Sequence, residues 1–209
     1  QFHNGDGNSA GYVGWNSTPS GLLTALAGSF SISCWIKTTQ NTAWDAAPAY
    51  YGAGIVAADV GGVANDMIPL ALTGGKIAFG TGNEDEGDDD ALHSATSVND
   101  GNYHHVVITR NQQTGQKLIY IDGALDGFSS GTTRLLNDPQ KLTIGALADA
   151  WNSDPDDGDI YNGFDGEVDD LQIYSGVLSA GEVANLYANP GSTTANGGGL
   201  NFSEGHAIV

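Results

Sequence analysis

The sequence predicts an all-β fold, a two-sheet antiparallel jelly-roll sandwich with one short C-terminal helix. Three observations predict it. Eleven segments alternate apolar and polar residues with a period of two. Gly, Asn and Asp punctuate them. Only one segment carries a convincing helical stripe. At 209 residues and 40% hydrophobic composition, the chain is sized for one large domain with its own core, which excludes global disorder.

Taken in order, strands are expected near Gly11–Trp15, Phe30–Lys37, Gly54–Ala58, Met67–Leu72 and Lys76–Phe79. Others follow near Leu92–Thr96, Tyr103–Arg110, Lys117–Ile121, Ala124–Phe128, Lys141–Gly145 and Glu167–Tyr174. In Phe30–Lys37 the even positions are apolar and face inward, so Trp35 belongs to the opposite face. Asp122-Gly123 and Gly74-Gly75 are tight hairpin signals. The helix opens at Ser179 as N-cap, with Glu182 completing a capping box. Val183, Leu186 and Tyr187 form its stripe, and Asn189-Pro190-Gly191 stops it.

The domain is expected to span residues 1–190, with a Gly-rich linker or tail over 191–209. Phe202–Val209 either begins a neighbouring domain or covers an exposed edge. Gln1 opens into a polar loop with no secretory signal, so the sequence reads as a mature chain or a domain of a larger multidomain chain.

The charge balance is 25 acids against 6 bases, a net charge of −19. That excludes nucleic acid, whose phosphates need clustered Lys and Arg. It also excludes electrostatic docking on an anionic membrane, and no apolar run is long enough for membrane insertion. The lone Cys34 excludes an internal disulfide and reads as an inert buried thiol.

The acids are 20 Asp and 5 Glu. Asp prefers turns, caps and all-oxygen metal sites. Six acids fall in Glu84–Asp90 and eight in Asp154–Asp170, and no Lys or Arg follows Lys141. Such crowding is relieved by solvent or by a cation. Calcium suits it best, because it takes six to eight oxygens from carboxylates, carbonyls and water. Asp154, Asp156, Asp157 and Asp159 alternate around Gly158 as candidate ligands; Asp88 and Asp90 are candidates in the other run. The alternative for both is a solvated acidic loop.

The loop aromatics suggest where a ligand sits. Trp44, Tyr50 and Tyr51 lie beside Asp45 in a long stretch expected to be helix-free. Trp151, with Asn152, and Tyr161 bracket Asp154–Asp159. Sugars stack on flat aromatic faces while their hydroxyls bond to Asp, Asn or calcium. A peptide would instead place a carboxylate on the calcium. The competing reading folds these rings down as loop anchors. Long loops without secondary structure are often functional.

Four segments in order resemble the laminin G-like jelly-roll family of the concanavalin A-like sandwiches. They are Phe30–Lys37, Asp100–Arg110 (Tyr103 replacing the usual Trp), Leu118–Gly123 with Leu142–Gly145, and Phe164–Tyr174 with Leu178-Ser179 and Leu186-Tyr187. The resemblance runs from about Phe2 to Asn189. It implies a domain of the kind found in bacterial adhesins and carbohydrate-binding modules, often with calcium. It further implies a structural calcium between Asp6 and Asp169, and another near Asp59 and Asp66. Hydrolases on this fold use Glu-x-Asp-x-x-Glu; here Glu167-Val-Asp169-Asp-Leu-Gln172 ends in Gln172, which cannot serve as the acid. His104 and His105 should point to opposite faces, the wrong geometry for a shared metal.

The expectation is therefore a non-enzymatic, calcium-dependent adhesion module, secreted or on the cell surface, that binds an extracellular glycan or peptide. The alternative is a carbohydrate-binding module of an extracellular polysaccharide-degrading enzyme.

Overall fold

A computed structural model describes residues 4–5, 9–10, 13–15, 26–42, 48–58, 67–82, 91–136, 142–148, 160–194 and 200–201. The strands are β1 (Asn4–Gly5), β2 (Ser9–Ala10), β3 (Val13–Trp15), β4 (Phe30–Thr38), β5 (Ala53–Ala58), β6 (Met67–Thr73), β7 (Lys76–Thr81) and β8 (Leu92–Ser97). They continue with β9 (Tyr103–Arg110), β10 (Gln116–Ile121), β11 (Ala124–Ser130), β12 (Leu142–Ile144), β13 (Leu147–Ala148), β14 (Ile160–Tyr161), β15 (Gly166–Tyr174) and β16 (Leu200–Asn201). All eleven expected strands are among them. Helix α1 spans Ala180–Ala188, and both halves of its capping box are formed. No helix among the described residues is long and apolar enough to cross a membrane.

The strands form two six-stranded sheets, in the orders β11-β10-β9-β4-β15-β16 and β3-β12-β5-β6-β7-β8. All their pairings are antiparallel. The β10–β11 turn places Asp122 and Gly123 at φ 51° and 79°, and the β6–β7 turn places Gly74 and Gly75 at 53° and 80°. Positive φ at both central positions is what a two-residue hairpin of type I′ requires.

Alternation decides the layers. Ile32, Cys34 and Ile36 of β4 join Val106, Ile108 and Ile119 in the inter-sheet core, facing Val56, Leu70, Ile77 and Phe79. Phe30 and Phe79 meet edge to face across it, with centroids 6.0 Å apart. Burial, and secondly the charge of Asp170, pushes the Cys34 thiol up to about 12, so it is inert at neutral pH. Each sheet also carries a smaller cluster on its outer face. Helix α1 seats Val183 and Leu186 on Val107, Tyr120 and Tyr174. On the other sheet, Ala57, Ile68, Ala71 and Ala78 form a low-relief surface under Ala49 and Leu147.

Two cations are buried. Arg110 is 1% exposed and donates to the carbonyls of Ala27, Gly28, Thr132 and Arg134. It thereby ties the segment before β4 to the segment after β11. Lys117 donates to Thr81 Oγ1 and lies over the Phe79 ring.

Candidate functional site

One end of the sandwich brings together Tyr50, Tyr51, Tyr103, Gln40, Asn162 and Glu167. It is formed by the end of β4, the start of β9, the β10–β11 turn, the start of β15 and the segments that join the two sheets. The register places Thr38 opposite Gly166 and Lys37 opposite both Tyr103 and Glu167.

Its aromatic element is a single 3-10 turn, Ala49–Tyr51, following Pro48. This corrects the expectation of a helix-free loop at Tyr50 and Tyr51. The turn forms because Ala57, Ala71 and Ala78, from three neighbouring strands, leave room for backbone to lie close to the sheet. Ala49 is buried there and Tyr50 packs half-buried against the cluster. Tyr51 is 52% exposed, and its ring lies 4.5 Å from that of Tyr50, tilted by 45°. Tyr50 is thus an anchor and Tyr51 a presented ring.

The second element is the stem of the acidic segment 149–159. The stem strands are β13 and β14, with Leu147 opposite Tyr161 and Ala148 opposite Ile160. Asn162 follows at φ 47° and joins the two elements. Its Nδ2 donates to the Tyr50 carbonyl at 3.3 Å, and its own carbonyl accepts from Gly54 N at 2.9 Å. The tyrosine turn and the strand bearing Tyr161, distant in sequence, therefore share one anchor.

The third element lies on the outer face of the opposite sheet. Tyr103 Oη donates to Glu167 Oε2 at 2.5 Å, and Lys37 Nζ lies 3.9 Å from Glu167 and 5.3 Å from the Tyr103 ring centre. The bond from Tyr103, and then the Lys37 charge, hold the Glu167 carboxyl below its ordinary range. Glu167 is committed to this cluster, while the buried Gln172 is held by Asp170, Ser192 and Tyr174. Neither is arranged as an acid–base pair.

The adjacent histidines do face opposite ways. His104 lies between Asp122 Oδ2 (2.8 Å) and Asp100 Oδ1 (3.2 Å). His105 Nε2 shares a hydrogen bond with Ser33 Oγ at 2.9 Å, and its ring packs on Trp35 and Tyr187. Trp35 itself stacks on Tyr187, so it occupies the outer face as its alternation implied.

Of the candidate metal ligands, Asp169 alone lies among the described residues. It is exposed, opposite Trp35 in register, and its Oδ1 accepts from Asp170 N. It stands on the outer face opposite to that of Tyr50 and Tyr51. Asp6, Asp59, Asp66, Asp88, Asp90, Asp154, Asp156, Asp157 and Asp159 lie outside the described residues, as do Trp44, Asp45, Trp151 and Asn152. Among the described residues, no three or more His, Cys, Asp or Glu side chains are grouped to hold a metal. Asp169 supplies one carboxylate, so a calcium there would draw its remaining oxygens from elsewhere.

Gln40 and Asn162 were not singled out by sequence reasoning. Gln40 sits in a polar run, and Asn162 opens an Asn-Gly pair between Tyr161 and Phe164, so each reads in sequence as an ordinary loop or turn residue.

Two all-antiparallel sheets with an aromatic and acidic loop end define a lectin-type sandwich. The chain belongs to the concanavalin A-like lectin/glucanases superfamily, whose laminin G family model matches residues 6–184. Among solved structures, the heptameric SAP-like pentraxin of Limulus polyphemus is similar at a TM-score of 0.54 and 13% identity, over 77% of this chain and 70% of its own. The binding domain of botulinum neurotoxin DC in complex with SialylT gives 0.63 and 18%, over 90% and 41%. A Bacteroides ovatus protein provisionally assigned to carbohydrate binding gives 0.58 and 15%, over 85% and 45%. This chain spans less than half the length of the last two. At these identities the likeness establishes the shared fold. No curated protein matches by sequence.

Proposed function

We propose that this chain is a non-catalytic glycan-binding module of a secreted or cell-surface adhesin, with calcium completing its acidic loops. The observation that carries the reading is the Asn162 bridge, which joins the exposed Tyr51 platform to the stem of the Asp-rich segment. Tyr51 offers a flat ring for the apolar face of a sugar, and the carboxylates of the Asp-rich sequence between β13 and β14 are the oxygens this reading assigns to its hydroxyls. Calcium, when bound, would neutralise crowded carboxylates and offer open coordination to a hydroxyl. The solved sandwiches include a toxin domain in complex with SialylT and a protein assigned to carbohydrate binding, which supports the ligand class. The net charge of −19 favours a neutral glycan over an anionic one. At this end Lys37 is already engaged by Glu167 and Tyr103.

A glycan array read in millimolar calcium and in chelator tests this. Binding to neutral oligosaccharides is expected in calcium, reduced at least tenfold by chelator and by Tyr51→Ala. Binding that ignores calcium would remove the metal from the reading, and binding that ignores Tyr51→Ala would remove the platform.

A further inference from the structure

Gln40 lies beyond the end of β4, in the polar run Thr38-Thr-Gln-Asn-Thr42. Its side-chain amide makes two bonds to one stretch of backbone. Nε2 donates to the Gly163 carbonyl at 2.9 Å, and Oε1 accepts from Asp165 N at 2.9 Å. Those two backbone groups, two residues apart, form the donor–acceptor pattern that a neighbouring strand would satisfy. The amide therefore stands in for a strand partner where β4 has ended.

Gln40 is itself held. Its N–H donates to Thr38 Oγ1 at 2.9 Å, and its carbonyl accepts from Asn99 Nδ2 at 3.2 Å. Thr38 Oγ1 in turn donates to the Asp165 carbonyl at 2.6 Å. The far side of the same stretch is stitched to the other sheet. Gly163 bridges Gly54, Phe164 N donates to the Gly145 carbonyl, and Gly145 N donates to the Ile55 carbonyl. Residues 162–165 thus span the two sheets at the candidate end, held by Gln40 on one side and by β5 on the other. Asn162, at the head of this stretch, carries the bond to the Tyr50 carbonyl and directly follows Tyr161.

We propose that Gln40 is a positioning residue for ligand binding, fixing the spacing between the Tyr50–Tyr51 turn and the stem of the acidic segment. The inference rests on the glycan-binding reading above and assigns Gln40 no direct contact with ligand. Chemistry restricts the position. Ala removes both bonds. Asn is one methylene too short to reach both groups. Glu keeps the length and the acceptor, but places a carboxylate oxygen against the Gly163 carbonyl in place of the donor.

The test uses neutral glucose- and galactose-terminated oligosaccharides immobilised on one surface, in calcium at pH 7.5. It compares wild type, Gln40→Ala, Gln40→Glu and Ser179→Ala. The last is a helix-cap variant remote from this end that lowers the melting temperature without touching the brace. Both Gln40 variants are expected to bind at least tenfold more weakly, while Ser179→Ala binds as wild type. Hydrogen exchange at the Asp165 and Gly54 amides should rise in Gln40→Ala and stay unchanged in Ser179→Ala. Wild-type affinity in Gln40→Ala, or the same loss in Ser179→Ala, overturns the positioning role while leaving the binding reading intact. A wild-type protein that binds none of these sugars removes the binding reading and this inference with it.

Discussion

His104 and His105 are sequence neighbours with opposite electrostatic consequences. Both ring nitrogens of His104 face carboxylate oxygens, so only the doubly protonated ring donates to both. Burial pulls its pKa down, but the hydrogen bonds and charges of Asp122 and Asp100 outweigh burial and raise it above the ordinary 6.5. A raised folded-state value means that its stabilisation is complete below pH 6.5 and is lost as pH rises through the folded value. The Asn102 backbone N–H and amide, with smaller help from His104, lower Asp100 to about 2, so that carboxylate stays charged throughout. His105 is the reverse case. Burial lowers it to about 4 against the pull of Asp122 and Asp170. Its neutral ring stabilises the fold above pH 6.5, and that contribution is lost as pH falls toward 4, on the order of 3 kcal/mol at the acid limit. Denaturant unfolding at pH 5, 6.5 and 8 should separate the two. The stability deficit of His104→Gln relative to wild type should shrink as pH rises. His105→Phe should flatten the acid limb that wild type shows between pH 6.5 and 5. A His104→Gln deficit constant across this range would show that the ring acts through packing rather than charge.

At the element scale, the segment leading into β13 packs against a single small residue of β5. A Cβ at Gly54 would sit 2.5 Å from Ala146 C and Leu147 N, backbone atoms that cannot swing aside. Gly54→Ala should therefore cost about 1–3 kcal/mol by overpacking and push the stem of segment 149–159 outward. Gly181, on α1, has nothing within 4 Å of such a Cβ. Gly181→Ala should stabilise by about 0.5 kcal/mol, because it only restricts the unfolded chain and favours the helix. Thermal melts of the two variants check the contrast, and equal effects would mean that β13 yields freely. These glycines also mark what was legible in the sequence. The long strands were legible because alternation in Phe30–Lys37 or Tyr103–Arg110 records which face is buried, and Ser179 with Glu182 records the helix start. The Ala49–Tyr51 turn was not, because its seat is made by Ala57, Ala71 and Ala78 from three other strands. β13 and β14 have two residues each, too few to show a period. Within the candidate site, Tyr50, Tyr51 and Tyr161 stand out in the sequence as aromatics beside polar residues, although the first two lie in a 3-10 turn and the third in β14. Their convergence was not legible, since it runs through Asn162 and Gln40, whose partners are backbone atoms far away in sequence.

At the scale of the whole molecule the dominant quantity is charge. Six cations face 25 acids, and two of the six, Arg110 and Lys117, are spent inside the sandwich. Arg110 gives its donors to four carbonyls, and burial lowers its pKa to about 10 while leaving it charged at neutral pH. The surface is therefore more acidic than the sequence total suggests, and self-repulsion opposes the compact state. Two remedies are physically distinct. Generic screening depends on ionic strength alone and acts on every exposed carboxylate. Site binding depends on the ion and acts only where oxygens converge. If calcium is the resident cation, a free concentration of 100 times its dissociation constant adds about 2.7 kcal/mol per independent site. For a chain of this length that raises the melting temperature by roughly 5–10 °C. Melting in chelator, in sodium chloride and magnesium chloride of matched ionic strength, and in calcium chloride separates the remedies. Calcium is expected to exceed both controls by that margin, because magnesium holds its water too tightly to accept an all-protein cage. Equal shifts in all three salts would reduce the Asp-rich segments to a solvated, screened surface. Ligand recognition would then fall to Tyr51 and the exposed Asn162.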